Sequence, residues 1–92
     1  MTINEAINHE NVSLVDVRTP SEVSMEPVPG AVNIPLDEVL ERWAEFKEMQ
    51  RPLVLFCRSG QRSAKALEFL ASKGVADGMN GMGASDVLIS LM

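Results

Sequence analysis

The amino-acid sequence predicts an α/β domain with a mainly parallel sheet. Short apolar runs rich in β-branched residues alternate along the chain with segments of helical period, which is typical of a parallel sheet. Prolines and glycines punctuate the boundaries between these segments. A chain of 92 residues has room for one hydrophobic core, so residues 1–92 are interpreted as a single domain.

The first predicted strand is VSLVDV (12–17), whose nearly continuous apolar character indicates burial on both faces of the sheet. The loop RTPSE then carries the signals of a helix start. Thr19 is a suitable N-cap, Pro20 occupies the first helical position, and Glu22 lies three residues after the cap.

The segment EPVPG (26–30) is predicted to be irregular, because it holds two prolines and a glycine. AVNI (31–34) is predicted to be a second short strand, which Pro35 closes. A helical period follows, with a charged face opposite an apolar face. The residues predicted on the apolar face are Leu36, Val39, Leu40, Trp43 and Phe46. Trp43 is interpreted as a core anchor of this helix.

The second half of the chain repeats the alternation. PLVLF (52–56) is a third buried-strand candidate, with its proline at the first position, where a strand accepts it. Residues 61–73 have the spacing of a second amphipathic helix, and Gly74 suits its C-terminal cap. VADGMN (75–80) is predicted to form a last short strand, and GMGASDVLISLM (81–92) a glycine-rich turn followed by a helix.

The charge distribution is uneven. The net charge of −5 argues against a nucleic-acid partner, because binding to phosphates needs a basic surface. Residues 51–73 nevertheless carry five basic side chains and one acidic side chain, whereas the rest of the chain carries three basic and twelve acidic ones. The basic excess therefore surrounds Cys57, the only cysteine.

The sequence also narrows the class of protein. No apolar stretch approaches the roughly 20 residues of a membrane span, and the N-terminus MTINEAINHE lacks the features of a secretory signal, so we expect a cytoplasmic protein. One cysteine excludes an intramolecular disulfide, and with one histidine it argues against a structural zinc site. We therefore expect no metal and no organic cofactor.

Cys57 is predicted to lie at the carboxyl end of the third strand, where open α/β sheets bind their ligands. A helix beginning near Gln61 would direct backbone N–H groups and the positive end of its dipole at the thiol. Arg58 and Arg62 add positive charge, and both effects lower the pKa of a cysteine. Gly60 allows a tight turn that forms an anion-binding nest, and Ser59 offers a further donor. Lone cysteines are commonly buried and inert, but two arginines and a glycine directly after Cys57 favour a nucleophile.

Three segments resemble the rhodanese domain family: LVDVRTPSE, PVPGAVNIPL and VLFCRSGQRSAKA, in the order and spacing of that family. The resemblance implies a small doubly wound parallel sheet and a sulfurtransferase. The cysteine of this family takes sulfane sulfur from a small anionic donor such as thiosulfate, becomes a persulfide, and passes the sulfur to a thiophilic acceptor such as cyanide, a thiol or a protein cysteine. The chain departs from the family where Glu26 and Pro27 replace a glycine-histidine pair, and in lacking a tryptophan after the last glycine-rich turn.

Carried over by position, the resemblance makes Cys57 the nucleophile and persulfide carrier. It makes the loop residues Arg58, Ser59, Gly60, Gln61 and Arg62 the binding site for the transferred sulfur and its donor. Asp16 and Arg18 match a buried polar pair of the family, and we expect Arg18 to pair with Glu22 as part of the scaffold.

Two other functions use the same residues. Cysteine phosphatases and arsenate reductases place five residues between cysteine and arginine, whereas Cys57 and Arg62 enclose four, so the shorter loop suits a single sulfur atom better than a phosphate. A binding or redox-sensing module on the same scaffold is the second alternative, because an acidic thiol in a basic loop oxidises readily. The sequence does not determine the physiological donor and acceptor or the oligomeric state.

Overall fold

The structure, a computed structural model, describes residues 1–92. It contains five helices and four strands. In chain order they are α1 (Ile3–Ile7), β1 (Ser13–Asp16), α2 (Pro20–Met25), β2 (Val32–Asn33), α3 (Leu36–Glu48), β3 (Leu53–Cys57), α4 (Gln61–Ser72), β4 (Met79–Gly83) and α5 (Ala84–Leu91). The predicted α/β class and the alternation of strands with helices are confirmed.

The four strands form one parallel sheet in the order β2-β1-β3-β4. The connection after β1 leads outward to β2, and the connection after β2 crosses back to β3 on the other side of β1. In parallel sheets a crevice forms where neighbouring connections diverge in this way, at the carboxyl ends of the strands. The ends of β1 and β3 therefore mark the place where a site is expected.

Both faces of the sheet are covered, as the apolar runs predicted. All five residues of β3 are buried, and they alternate between the two faces. Leu53, Leu55 and Cys57 belong to one core cluster, which includes residues of α3 and α4. Val54 and Phe56 belong to a second cluster on the opposite face, with residues of α1 and α5. Cys57 thus points toward the side of the sheet that α3 and α4 cover.

Two N-terminal helix starts are fixed by the same local motif. Thr19 accepts a hydrogen bond from the N–H of Glu22 while the Glu22 carboxylate accepts one from the N–H of Thr19, which confirms the predicted start of α2. The helix α1 was not predicted, although the same reciprocal pair is present at Thr2 and Glu5. The Thr-x-x-Glu spacing was the signal that could have found it.

The prediction for residues 75–83 was wrong in its boundaries. Residues 81–83 were expected in a glycine-rich turn, but they belong to β4. A Cβ added at Gly81 would lie 2.9 Å from Cγ1 of Val54, and one at Gly83 would lie 2.4 Å from the carbonyl oxygen of Arg58. These glycines therefore permit a close approach of the β4 backbone to its neighbours, which is a use of glycine inside a strand rather than in a turn.

The helix α3 has the predicted apolar face with one exception. Val39 and Phe46 are fully buried, and Trp43 packs against the core while its ring contacts the ammonium of Lys47, 4.9 Å from the ring centre. Leu40, however, is 51% exposed. It lies at the edge of the stripe, and the non-helical backbone of Arg42 (φ −106°, ψ 19°) interrupts the helical period two residues later.

The expected pairing of Arg18 with Glu22 was wrong. The guanidinium of Arg18 binds the carboxylate of Asp16, with Nη2 2.7 Å from Oδ2, and both side chains are almost completely buried. Arg18 also donates to the carbonyl oxygen of Glu26 at 2.7 Å. Glu22 is oriented toward Arg62 of α4 instead. The side chain of Arg18 turns toward the protein interior, where the carboxylate of Asp16 at the end of β1 is nearer to it than the carboxylate of Glu22.

None of the five helices combines the length and the apolar character needed to cross a membrane.

We predict that Asp16→Asn lowers the free energy of unfolding by about 3 kcal/mol, because it leaves the Arg18 guanidinium buried without its counter-charge. Urea unfolding followed by circular dichroism measures the loss. Glu45→Gln is the matched control, since it removes the carboxylate of the exposed pair with Arg42 and should cost much less. Equal losses in the two variants would contradict a structural role for the buried pair.

Candidate active site

The loop that carries Cys57 joins β3 to α4 at the carboxyl edge of the sheet. Cys57 ends β3, and Gly60 directly precedes Gln61, the first residue of α4. Gly60 has a φ of +97°, in the left-handed region that glycine adopts without steric cost. A Cβ at this position would also lie 2.9 Å from Cε of Met82. The turn and the contact with β4 therefore both require glycine.

The thiol of Cys57 is enclosed by donors. Its residue is only 1% exposed, the N–H of Gly60 donates to Sγ at 3.0 Å, and Oγ of Ser63 lies 3.5 Å from Sγ. Burial raises the pKa of the thiol, but hydrogen bonds from the Ser63 hydroxyl and from the backbone N–H groups of Ser63, Ser59 and Gly60 outweigh it and lower the pKa from 9.0 to about 7. A large fraction of Cys57 is therefore thiolate at neutral pH, and the thiolate is the nucleophilic form.

The two arginines of the loop have different surroundings. Arg62 forms a bidentate ion pair with Glu22, with Nη1 2.6 Å from Oε1 and Nη2 2.9 Å from Oε2. The hydrogen bonds from Arg62 are the largest cause that lowers the pKa of Glu22 to about 2, and the backbone N–H of Thr19 adds to the effect. The charge of Arg62 is thus largely balanced, and its side chain links α4 to the start of α2.

Arg58, by contrast, is exposed and takes part in none of the ion pairs. It borders an open cavity of about 400 Å³ beside the loop. The residues that line this cavity are Arg18, Glu22, Met25, Glu26, Arg58, Ala84 and Ser85. Cys57 does not line it, since its side chain is buried beneath the loop. Arg58 is therefore the loop cation that is free to meet an anion arriving from solvent.

The remaining predicted loop residues contribute mainly through their backbone. The side chains of Ser59 and Gln61 are exposed, and the contribution of Ser59 to the thiol is its N–H group. Gln61 opens α4, whose first turn places Ser63 against the sulfur. Of the predicted loop residues, Ser59 and Gly60 thus act on the sulfur through their N–H groups, and the largest acidifying contribution comes from the Ser63 hydroxyl.

Two polar residues of the site were not predicted from the sequence. Ser63 is fully buried and donates to Oδ1 of Asn80 at 2.7 Å. Asn80, on β4, also binds the loop through Gly60. The position of Ser63 in the first turn after the loop was a usable signal. Asn80 gave none, because its proximity depends on the pairing of β4 with β3.

The side chains of the structure form no cluster suited to bind a metal ion. No group of three or more histidine, cysteine, aspartate or glutamate side chains is arranged to hold a metal ion. The only histidine, His9, accepts a hydrogen bond from the N–H of Asn11 at 3.0 Å in the turn before β1.

Comparison with known proteins finds sulfurtransferases among the relatives of this chain. The chain is 38% identical over 74 residues to the thiosulfate sulfurtransferase PspE of Escherichia coli. This alignment covers 79% of this chain and 71% of PspE. It is 37% identical over 71 residues to a sulfurtransferase of Allochromatium vinosum, in an alignment that covers 77% of this chain. The matched part spans 65% of the length of that protein, slightly less than two thirds.

A solved structure of a rhodanese with anions from Escherichia coli superposes with a TM-score of 0.69 at 35% identity, over 82% of this chain and 89% of that one. Residues 2–88 match the family model of the rhodanese-like domain. With the parallel sheet and the cysteine loop in place, these matches show that the chain belongs to the rhodanese-like domain family.

Proposed function

We propose that the chain is a sulfurtransferase that moves sulfane sulfur from a small anionic donor such as thiosulfate to a thiophilic acceptor through a persulfide on Cys57. The observation that carries the proposal is the thiol with a pKa of about 7, held by N–H groups of its own loop. The relation to named sulfurtransferases supports it.

In the first half-reaction the Cys57 thiolate attacks the outer sulfur of thiosulfate. A bond forms between Sγ and that sulfur, and the sulfur–sulfur bond of thiosulfate breaks with its electron pair leaving on sulfite. The negative charge of the thiolate passes to the terminal sulfur of the persulfide. No proton is transferred, so the loop needs no general base once it holds the thiolate.

In the second half-reaction a nucleophile attacks the terminal sulfur and Sγ leaves as the thiolate. Cyanide gives thiocyanate, and a thiol or a protein cysteine gives a new persulfide. Cys57 is the only cysteine of the chain, so we propose that the acceptor is a separate molecule. A reducing compartment suits this chemistry, because Cys57 must be a free thiol, and the cytoplasm is the compartment that the sequence led us to expect.

The two arginines have different roles in this proposal. Arg58 draws the dianionic donor toward the loop and balances the charge of departing sulfite. Arg62 keeps the first turn of α4, and with it Ser63, in place through its bonds to Glu22. The same bonds weaken the phosphatase alternative, because that chemistry needs an arginine free to bind phosphate oxygens in a bidentate manner.

We predict that incubation with thiosulfate adds the mass of one sulfur atom to the wild-type protein and none to Cys57→Ser. Cyanide should then remove the added sulfur and produce thiocyanate. Intact-protein mass spectrometry with a colorimetric thiocyanate assay measures both steps. A folded, reduced wild-type protein that gains no sulfur would leave the binding or redox-sensing module as the better explanation.

The rate of Cys57 alkylation by iodoacetamide should rise with pH and reach half of its maximum near pH 7, because the thiolate is the reacting form and its pKa is about 7. At lower pH the thiol is protonated and the rate falls. The alkylation reaction is stopped at a series of times at each pH, and mass spectrometry of the protein gives the rate as a function of pH. A midpoint close to 9, the ordinary value of the thiol, would show that the loop does not acidify Cys57.

We predict that Arg58→Gln raises the KM for thiosulfate about fivefold and changes kcat little, because an exposed cation contributes modestly to the capture of an anion. Lys65→Gln is the matched control. It removes the same charge from an exposed position on α4 that does not border the cavity, so its KM should stay at the wild-type value. Equal increases of KM in the two variants would mean that the net charge of the protein, and not the position of Arg58, determines the affinity for thiosulfate.

A further inference from the structure

The side chain of Asn80 connects three parts of the sulfur site. Its Nδ2 donates to the carbonyl oxygen of Gly60 at 3.0 Å. Its Oδ1 accepts from the hydroxyl of Ser63 at 2.7 Å and from the N–H of Met82 at 2.9 Å. Asn80 thus holds the loop, the first turn of α4 and the irregular end of β4 through one planar amide.

These partners fix the orientation of the amide. The carbonyl of Gly60 can only accept a hydrogen bond, and the N–H of Met82 can only donate one. A reversed amide would place two acceptors together at Gly60 and two donors together at Met82. Oδ1 therefore faces Ser63, and the hydroxyl of Ser63 is the donor in their hydrogen bond.

A hydroxyl has one hydrogen, and that of Ser63 has two acceptors in reach. Oδ1 of Asn80 lies 2.7 Å from the hydroxyl oxygen of Ser63, and Sγ of Cys57 lies 3.5 Å from the same oxygen. While Cys57 is protonated, its S–H can donate to Oγ and the Ser63 hydrogen stays on Asn80. When Cys57 becomes a thiolate, the hydroxyl can stabilise it only by turning away from Asn80.

We propose that Asn80 is a positioning residue that competes with the Cys57 thiolate for the single hydroxyl hydrogen of Ser63. The hydrogen lies toward Sγ while the charge is on Sγ. It returns to Asn80 when the charge leaves Sγ for the outer sulfur. This last step rests on the proposed persulfide, whereas the competition itself concerns only the thiol and the thiolate.

The test measures how much the Ser63 hydroxyl acidifies Cys57 with and without its competitor. The apparent pKa of Cys57 is taken from the pH dependence of iodoacetamide alkylation in the wild type, Ser63→Ala, Asn80→Ala and the double variant. Ser63→Ala should raise it by about half a unit in the wild-type background. In the Asn80→Ala background the same substitution should raise it by about one unit or more, because the hydroxyl is then free for the thiolate.

The comparison is between two rises, so direct effects of losing Asn80 on the loop cancel. The four proteins of this comparison keep the same charged groups in the surrounding elements: Asp16, Arg18, Glu22, Arg58, Arg62 and Asp86. Equal rises in the two backgrounds, or a smaller rise without Asn80, would overturn the proposal. Because alkylation needs no sulfur donor, this result does not depend on whether thiosulfate is the substrate.

Two further variants serve as controls. Asn80→Asp keeps an acceptor for Ser63, so its Ser63→Ala rise should be no larger than in the wild type, and a larger rise would also overturn the proposal. Asn33→Ala removes a comparable amide on the neighbouring part of the sheet, whose Nδ2 donates to the carbonyls of Asp16 and Arg18 at 2.9 Å each. In the Asn33→Ala background, Ser63→Ala should raise the pKa of Cys57 by the same amount as in the wild type. A larger rise in that background would mean that general loosening of the structure, and not competition by Asn80, explains the effect.

Discussion

The turn at Gly60 is the constraint on which the site depends. Within three residues the chain must leave a strand buried on both faces and begin a helix, with its N–H groups directed at one sulfur atom. The left-handed conformation of Gly60 makes this reversal possible, and the missing side chain lets Met82 of β4 close over the turn. Any other residue would strain the turn and force the side chain of Met82 to move.

The acidity of Cys57 has a different origin from that suggested by its basic neighbours. One arginine is balanced by a carboxylate, and the other is exposed to solvent, where its field is screened. The donors that lower the pKa are the Ser63 hydroxyl and backbone N–H groups, which are held in a buried place where such interactions are strong. The loop therefore holds the thiolate chiefly through hydrogen bonds, and the Coulombic interaction between Arg62 and Cys57 adds a smaller contribution. In the proposed mechanism this separates activation of the sulfur from capture of the donor by Arg58.

The parts of the structure that the sequence could predict are those governed by local patterns. The buried strand before Cys57, the capped start of α2 and the glycine turn each follow from a few consecutive residues. The partner of Arg18 could not be assigned in this way, because Asp16 and Glu22 both lie within reach along the chain and only packing decides between them. The partner of Glu22 is 40 residues away in the sequence, so no local pattern could indicate it. The glycines of β4 were misread because glycine marks a turn and a close backbone approach equally well, and the role of Asn80 depends on that same approach.

The burial of Cys57 also bears on which group the site transfers. Cys57 is 1% exposed and its Sγ already accepts the N–H of Gly60, so the loop encloses the sulfur closely. A tetrahedral phosphate would need three further oxygens to be bound around the loop, with an arginine free to bind two of them. A single sulfur atom needs only an end-on approach and a few donors. The four-residue spacing between Cys57 and Arg62 and the engagement of Arg62 by Glu22 thus favour the same substrate class on independent grounds.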